Sequence, residues 1–366
     1  MKRPLDAISI AGYKSIRVLE KFPLTSLNVL IGANGSGKTN FISTFKLLNQ
    51  IVDENLQLFV GQQGGADILL YFGQKTTNLL KINLVFGNNG YDCSLAPAVG
   101  DTLIFENEQA WYHGQGYLNP YVLGLGEGQK ETKLLETSRN NRSMTIADHV
   151  LQAMRSWRVY HFHDTSVGAK VKQKGDLNDN AILRADASNL AAFLYFLRET
   201  KEPYYRKIVS TIRLVAPFFD DFNLRPDPFN TEKIQLEWHE IGSDAYFNAH
   251  VLSDGTLRFI CLATLLLQPN MPSTILIDEP ELGLHPYAIT MLASLLRSAA
   301  TQTQVIVSTQ SVPLVNQFNP EDIIVVDRDQ GQSTFRRLDE KDLDGWLDNY
   351  GMGDLWEKNV LGGRPR

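Results

Sequence analysis

The spacing of apolar residues divides the chain into short strand-like runs and longer helical stripes. Residues 5–16 carry β-branched residues and a glycine, and residues 24–31 (LTSLNVLI) form a second strand-like run. Past a glycine-rich turn, Phe41, Ile42, Phe45, Leu47, Leu48 and Ile51 recur at helical spacing. Residues 79–86, 91–95, 102–106 and 109–113 predict antiparallel strands, the first two joined through Gly87, Asn88, Asn89 and Gly90. Residues 115–145 are rich in Gly, Asn, Ser, Glu and Lys and read as a mobile loop. A strand follows at 157–165, then a flexible basic loop at 166–185. Helical spacing returns at 189–199 and 204–219, and 233–241 with 245–252 predicts a hairpin. The remainder reads as an apolar helix from 257, strands at 274–278, 304–311, 321–329 and 333–340, and a short helical tail.

Composition narrows the class. The 366 residues predict two domains or one bilobed domain, and 43% hydrophobic with 21% charged residues is that of an ordinary globular protein. A net charge of −6 excludes a uniformly basic nucleic-acid binder and leaves only a local basic patch. Two cysteines, Cys93 and Cys261, cannot build a disulfide framework or a structural zinc site. The apolar run 259–267 is far short of the roughly 20 residues that span a bilayer. Lys14 and Arg17 interrupt the N-terminal segment before a signal-peptide core develops, so a cytoplasmic protein is expected.

Gly32, Ala33, Asn34, Gly35, Ser36, Gly37, Lys38 and Thr39 match G-x-x-x-x-G-K-[ST] in full, between a strand and a helix. Such glycines let backbone N–H groups turn inward around phosphates, and the helix N-terminus adds its positive dipole end. Lys38 is expected to reach the β- and γ-phosphates and Thr39 to ligate Mg²⁺. Residues 274–280 form a short apolar strand ending in Asp278 and Glu279. A carboxylate at the C-terminal edge of a buried parallel strand holds Mg²⁺ or its water, so Asp278 takes that role, while Glu279 orients or deprotonates the attacking water. Ser253, Asp254 and Gly255 open the apolar helix 25 residues before Asp278, where hydroxyl and N–H groups form a further anion site or simply an N-cap. The strand at 304–311 ends in Ser308, Thr309, Gln310 and Ser311, polar side chains aimed at the sheet edge. His161 and His163 share a strand face, which allows a metal reading, but no third or fourth ligand is identifiable.

This ordered set resembles the ABC-type ATPase heads of the RecF, SMC and OLD group. The opening GYKSI is similar to their basic first-strand motif, and GANGSGKTN, with Asn40 after Thr39, is their form of the loop. DEPELGLHP at 278–286 and WEKNVLGGRP at 356–365 are similar to the bacterial AAA-type, RecF-like ATPases with a single head. The resemblance implies an α/β fold: a P-loop NTPase with an ABC-ATPase-like bilobed head, an antiparallel β flank and a small helical arm subdomain. Residues 1–160 would form the nucleotide-binding lobe and 161–366 the second lobe, with the arm at about 166–250.

The resemblance further implies an ATP-sandwiched homodimer with Mg²⁺, in which Ser253 and Gly255 contact the γ-phosphate from the opposite subunit. Lys14 would lie near the phosphates, Gln310 would occupy the switch position with Lys38 and Glu279 as its catalytic companions, and His163 or Asp164 would stand where relatives hold a glutamine near Mg²⁺. Three departures point to slow turnover: LSDGT for LSGGQ, Gln310 for the usual His, and Gly283-Leu284-His285 where an Asp often ends the acidic loop. No sustained heptads and no C-x-x-C occur, which excludes a long coiled coil with a zinc hook. Only 56 residues follow Gln310, against roughly a hundred for a nuclease domain, so a nuclease is expected from a partner. The expected activity is an ATP-driven switch for such an effector or for a DNA transaction, in DNA repair or phage defence. Lys170, Lys172, Lys174, Arg139 and Arg142 are the candidate DNA contacts. The rivals are a transporter nucleotide-binding subunit, disfavoured by the 215 residues between Lys38 and Ser253, and a non-catalytic ATP-dependent scaffold or sensor.

Overall fold

The computed structural model describes residues 4–139, 144–343, 345–346 and 350–363; Arg142 lies outside them. Its centre is a six-stranded sheet in the order Gln332–Arg337, Ile323–Asp329, Leu27–Ile31, Gln304–Thr309, Thr274–Asp278 and Trp157–Tyr160. All neighbours pair in parallel except the edge strand Gln332–Arg337. These strands read as unbroken apolar runs because both faces are covered. Leu30, Leu276, Ile306, Ile324 and Val326 point into one core, and Val29, Ile31, Ile275, Ile277, Val305 and Val307 into the other.

The first core is closed by the helix Lys38–Val52 and by a second six-stranded sheet, wholly antiparallel. Its order is Ile16–Pro23, Ala7–Tyr13, Leu80–Phe86, Asn89–Ala98, Thr102–Tyr112 and Tyr121–Gly126. The other core is closed by the helices Leu190–Thr200, Glu202–Val215, Asp254–Leu267 and Pro286–Ala300. The two layers share the parallel sheet, which draws strands from both sides of residue 160. Cys93 and Cys261 are both free and buried, one in each core.

Three segments differ from the expectation drawn from sequence. Residues 115–145 contain the edge strand Tyr121–Gly126 and the helix Leu134–Arg139, not only a loop. Tyr121, Val122, Leu123 and Leu125 give the strand a short apolar run interrupted by glycine, and pairing with Tyr112 and its neighbours supplies its hydrogen bonds. Residues 233–241 split between two small sheets, Asn230–Ile234 in one and Glu237–Glu240 in the other. Only the second forms the expected hairpin, with Tyr246–Asn248.

The basic loop is also ordered. It holds a 3₁₀ turn at Lys170–Lys172 and a short strand at Gly175–Asp176. Its lysines each meet a carboxylate: Lys170 with Asp186 at 3.8 Å, Lys172 with Asp254 at 3.8 Å, and Lys174 with Asp227. Lys172 is buried and donates to the Thr165 carbonyl at 2.6 Å. Lys172 is thus taken up in the fold, whereas the side chains of Lys170 and Lys174 stay 79% and 56% exposed beside their carboxylates.

Trp157 links the layers. It is fully buried, with ring centroids 5.6 Å from Phe45 of the first long helix and 6.5 Å from Phe86 of the antiparallel sheet. Replacing Trp157 with Ala therefore removes packing from three elements at once. The expected loss is about 3–5 kcal/mol of unfolding free energy, read by denaturant titration. A loss under about 1 kcal/mol, the range of surface substitutions, would contradict this joint role.

Candidate active site at the parallel sheet edge

The loop between Ile31 and Lys38 reverses the chain into a helix, and its geometry demands glycine at two positions. Gly32 has φ 157° and Gly37 φ 117°, conformations that L side chains rarely adopt. A Cβ at Gly32 would overlap the Val326 carbonyl oxygen, and one at Gly37 would overlap the Ser333 hydroxyl. The loop is also braced from outside. Ser333 Oγ donates to the Ser36 carbonyl at 2.5 Å and shares a 2.7 Å hydrogen bond with Ser15 Oγ, which accepts from the Asn40 amide at 2.7 Å. Arg328 donates to the Gly35 carbonyl at 3.2 Å. Asn40 thus supports the loop through its backing.

Lys38 begins the helix and is buried. Its ammonium donates to the carbonyls of Gly32 at 2.6 Å and Ala33 at 3.0 Å. Burial lowers its pKa, while Glu279, Asp278 and Glu281 act in the opposite direction. Lys38 thus feels three carboxylates from a segment more than 200 residues downstream.

That segment leaves the sheet beside the loop. Thr39 Oγ1 donates to Asp278 Oδ2 at 3.3 Å, joining the two sequence motifs directly. Asp278 pairs with Ser308 in the adjacent parallel strand, and the Ser308 hydroxyl donates to its other oxygen. Glu279 follows with φ 45°, and its amide donates to the Ser308 carbonyl at 2.9 Å. Non-glycine residues rarely hold a positive φ, and such conformations cluster at functional sites. The Gln310 side-chain amide donates to Glu279 Oε1.

Lys14 also has positive φ, at 48°, in the turn between the first two strands, and its amide donates to the Leu69 carbonyl at 2.9 Å. Burial and the charge of Lys46 lower the Lys14 pKa. Lys46, two turns along the first helix, has its own pKa lowered by burial and is held up by Asp278. His161 belongs to the same neighbourhood: burial, then Lys46 and His163, pull its pKa down to about 4, against Asp278. His163 lines a cavity of about 10 Å³ with Asp278, Glu279 and Arg258, whereas Asp164 is exposed and accepts from Ser166. Among the described residues, no group of three or more His, Cys, Asp or Glu side chains is arranged to hold a metal ion by itself.

Ser253 and Gly255 do not join this cluster. Ser253 caps the helix Asp254–Leu267, accepting from the Thr256 amide at 3.2 Å. Gly255 packs so closely on Gly283 that a Cβ would overlap the Gly283 carbonyl. The same helix reaches the acidic loop from below through Arg258, which donates to Phe162, His163 and Leu282 carbonyls at 3.1, 2.9 and 2.7 Å. Sequence reading missed Lys46, Arg258, Ser15, Ser333 and Glu281. Lys46, Arg258 and Ser333 carry no local signal, whereas Ser15 lies within GYKSI and Glu281 is the last acid of the DEPE tetrad, and both could have been flagged.

The donor set fits a nucleoside triphosphate with a hard divalent cation. Thr39 and Asp278 present oxygen ligands together, Lys38 carries the charge, and the Ser36 hydroxyl is buried in the loop without a partner among the described residues. The geometry suits binding of phosphates and proton transfer from water at one sheet edge.

Comparisons with known proteins agree with this architecture. The chain is similar to the Smc head domain with an extended coiled coil bound to the C-terminal domain of ScpA from Pyrococcus furiosus. Identity is 14%, with 94% of this chain and 99% of that one covered at a TM-score of 0.60. It is also similar to the Smc head domain with a coiled coil and joint from Pyrococcus yayanosii, at 12% identity, 98% and 100% coverage and a TM-score of 0.55. A third structure, the SmcHead bound to the C-winged helix domain of ScpA, aligns at 15% identity, 92% and 99% coverage and a TM-score of 0.54. At these identities the likeness concerns the fold, that of an ABC-ATPase head. A search among curated proteins found no significant match. A family profile described as "AAA domain, putative AbiEii toxin, Type IV TA system" matches residues 27–93 and 141–316, about two thirds of the sequence. With loop, acidic strand and fold in agreement, the chain belongs to this AAA-domain family.

Proposed function

We propose that the protein binds and slowly hydrolyses ATP, and that ATP draws two copies together to set the state of an effector. The observation that carries this reading is the 3.3 Å contact between Thr39 and Asp278, which unites the phosphate loop with the acidic strand. Thr39 and Asp278 would hold Mg²⁺, which supplies charge neutralisation for the β- and γ-phosphate oxygens. Gly32, Ala33, Asn34, Gly35, Ser36, Gly37 and Lys38 cradle the phosphates through backbone N–H groups and one ammonium. Glu279 accepts the proton of a water as its oxygen bonds to the γ-phosphorus and the bond to ADP breaks. Lys14 and Lys46 add positive potential on the same side.

Ser253 and Gly255, which make no hydrogen bond described to their own subunit's phosphate loop, serve the second nucleotide site of a homodimer. Asp254 at this signature and the neutral Gln310 at the switch keep the rate low, suiting a switch whose populations follow the bound nucleotide. Two of the similar SMC heads carry ScpA domains, which supports a protein partner bound to the head here as well. The toxin–antitoxin term in the family description favours a defence role over repair. Direct DNA contact is the weaker reading, because Lys170, Lys172 and Lys174 are already paired with carboxylates.

Glu279→Gln is expected to retain ATP, lose turnover by about a hundredfold or more, and elute as an ATP-dependent dimer in size-exclusion chromatography with light scattering. A variant that stays monomeric with ATP, or hydrolyses at the wild-type rate, would contradict the switch and favour a scaffold. Lys38→Ala is expected to abolish ATP binding measured by calorimetry; unchanged affinity would remove the phosphate-loop assignment. Wild-type turnover without a partner is expected below the order of tens per second, inside the lower range of enzymes. A faster steady state would exclude the slow-switch reading.

A further inference from the structure

The acidic loop holds a second glutamate, Glu281, that takes no part in the reaction described so far. It is 7% exposed, and burial raises its pKa. One oxygen, Oε1, accepts from Thr309 Oγ1 at 2.5 Å and from the Gln310 backbone amide at 3.2 Å. The other, Oε2, is buried without a partner among the described residues. Burying a carboxyl and leaving one oxygen unpaired is costly, and an apolar side chain would fill the same space at lower cost. Packing alone does not account for the residue.

Its bonds account for it. Thr309 is the last residue of its strand, where ladder hydrogen bonds run out and the chain turns toward the helix Val312–Val315. The Thr309 hydroxyl donates to Glu281 and accepts from the Ser311 amide at 3.0 Å, so its orientation is fixed from both sides. The peptide thus anchored carries the Gln310 side chain, whose amide reaches Glu279. Glu279 itself has a backbone at φ 45°, a conformation that persists only where its surroundings enforce it. The chain Glu281, Thr309–Gln310, Glu279 forms a closed ring across the ends of two neighbouring strands.

We infer that Glu281 is a positioning residue for hydrolysis: it clamps the Thr309–Gln310 peptide so that the Gln310 amide holds the Glu279 carboxylate where it takes the proton of the attacking water. This rests on the ATPase reading above. Glu281 touches neither nucleotide loop nor Asp278 through any hydrogen bond described; its hydrogen bonds lead to Glu279 through Thr309 and Gln310.

The test is steady-state ATP hydrolysis by the full chain for wild type, E281A, E281Q, Q310A and the double variant E281A/Q310A, with thermal midpoints as folding controls. E281A is expected to lower kcat by about ten- to a hundredfold, the usual range for a supporting partner, with KM unchanged within about threefold. E281Q keeps an acceptor oxygen and is expected to recover kcat to within about threefold of wild type. In the Q310A background, adding E281A is expected to cost less than about twofold, because both act through one contact. Should E281A not fold, Thr309→Val removes the donor with little change of shape and is expected to lower kcat in the same way. An active wild type with E281A at full rate, or effects of E281A and Q310A that multiply, would overturn the positioning role alone. A wild type that does not hydrolyse ATP would overturn the ATPase reading and this inference with it.

Discussion

The parallel pairing of Thr274–Asp278 with Gln304–Thr309 is the constraint on which the rest of the molecule depends. Its register sets Asp278 opposite Ser308, and the ladder continues beyond the strand through the Glu279 amide and the Ser308 carbonyl. The next strand, Leu27–Ile31, runs parallel to Gln304–Thr309 and pairs Ile31 with Thr309. All three chains therefore leave the sheet at the same edge, and the phosphate loop and acidic loop have no choice but to meet. Both faces of this sheet are buried, so a slip of one residue would turn Asp278 or its neighbours into a core and is strongly disfavoured.

Within that frame the charges are arranged economically. Lys38 lies under the influence of Glu279, Asp278 and Glu281, and Lys46 and His161 lie within reach of Asp278. The carboxylates are oriented by neutral donors, Ser308, Thr309 and Gln310, all from a single strand end. Hydroxyl and amide donors fix geometry without bringing a countercharge of their own. The helix Asp254–Leu267 adds mechanical connection, since Arg258 ties its first turns to the segment after Trp157–Tyr160 and to Leu282. The N-terminal end of that helix is thereby linked to the acidic loop.

How much of this was legible in the sequence depends on the range of the interaction. The phosphate loop and the strand ending in Asp278 and Glu279 are local patterns: glycines for a turn, an apolar run for a buried strand, a helix at once behind. The partners that brace them are not local. Ser15 and Ser333 meet across 318 positions, a pairing that neither local sequence shows. Lys172 read as part of a basic surface because its partners, Thr165 and Asp254, become visible only after folding. The edge strand Tyr121–Gly126 is masked by its Gly-rich surroundings: Gly124 and Gly126 break up its short apolar run, and only pairing with Thr102–Tyr112 makes the strand visible. Glu281 lay in plain sight but without a reason until Thr309 was placed beside it.

The central claim is that the two strand ends hold the acidic loop in position before any nucleotide arrives. Hydrogen–deuterium exchange of the Glu279 backbone amide in the nucleotide-free protein measures this most directly, since that N–H donates to the Ser308 carbonyl at 2.9 Å. The account predicts protection comparable to that of the amides inside Thr274–Asp278. Exchange at the rate of an exposed loop would mean that the loop is not preset by the sheet, and would contradict the account.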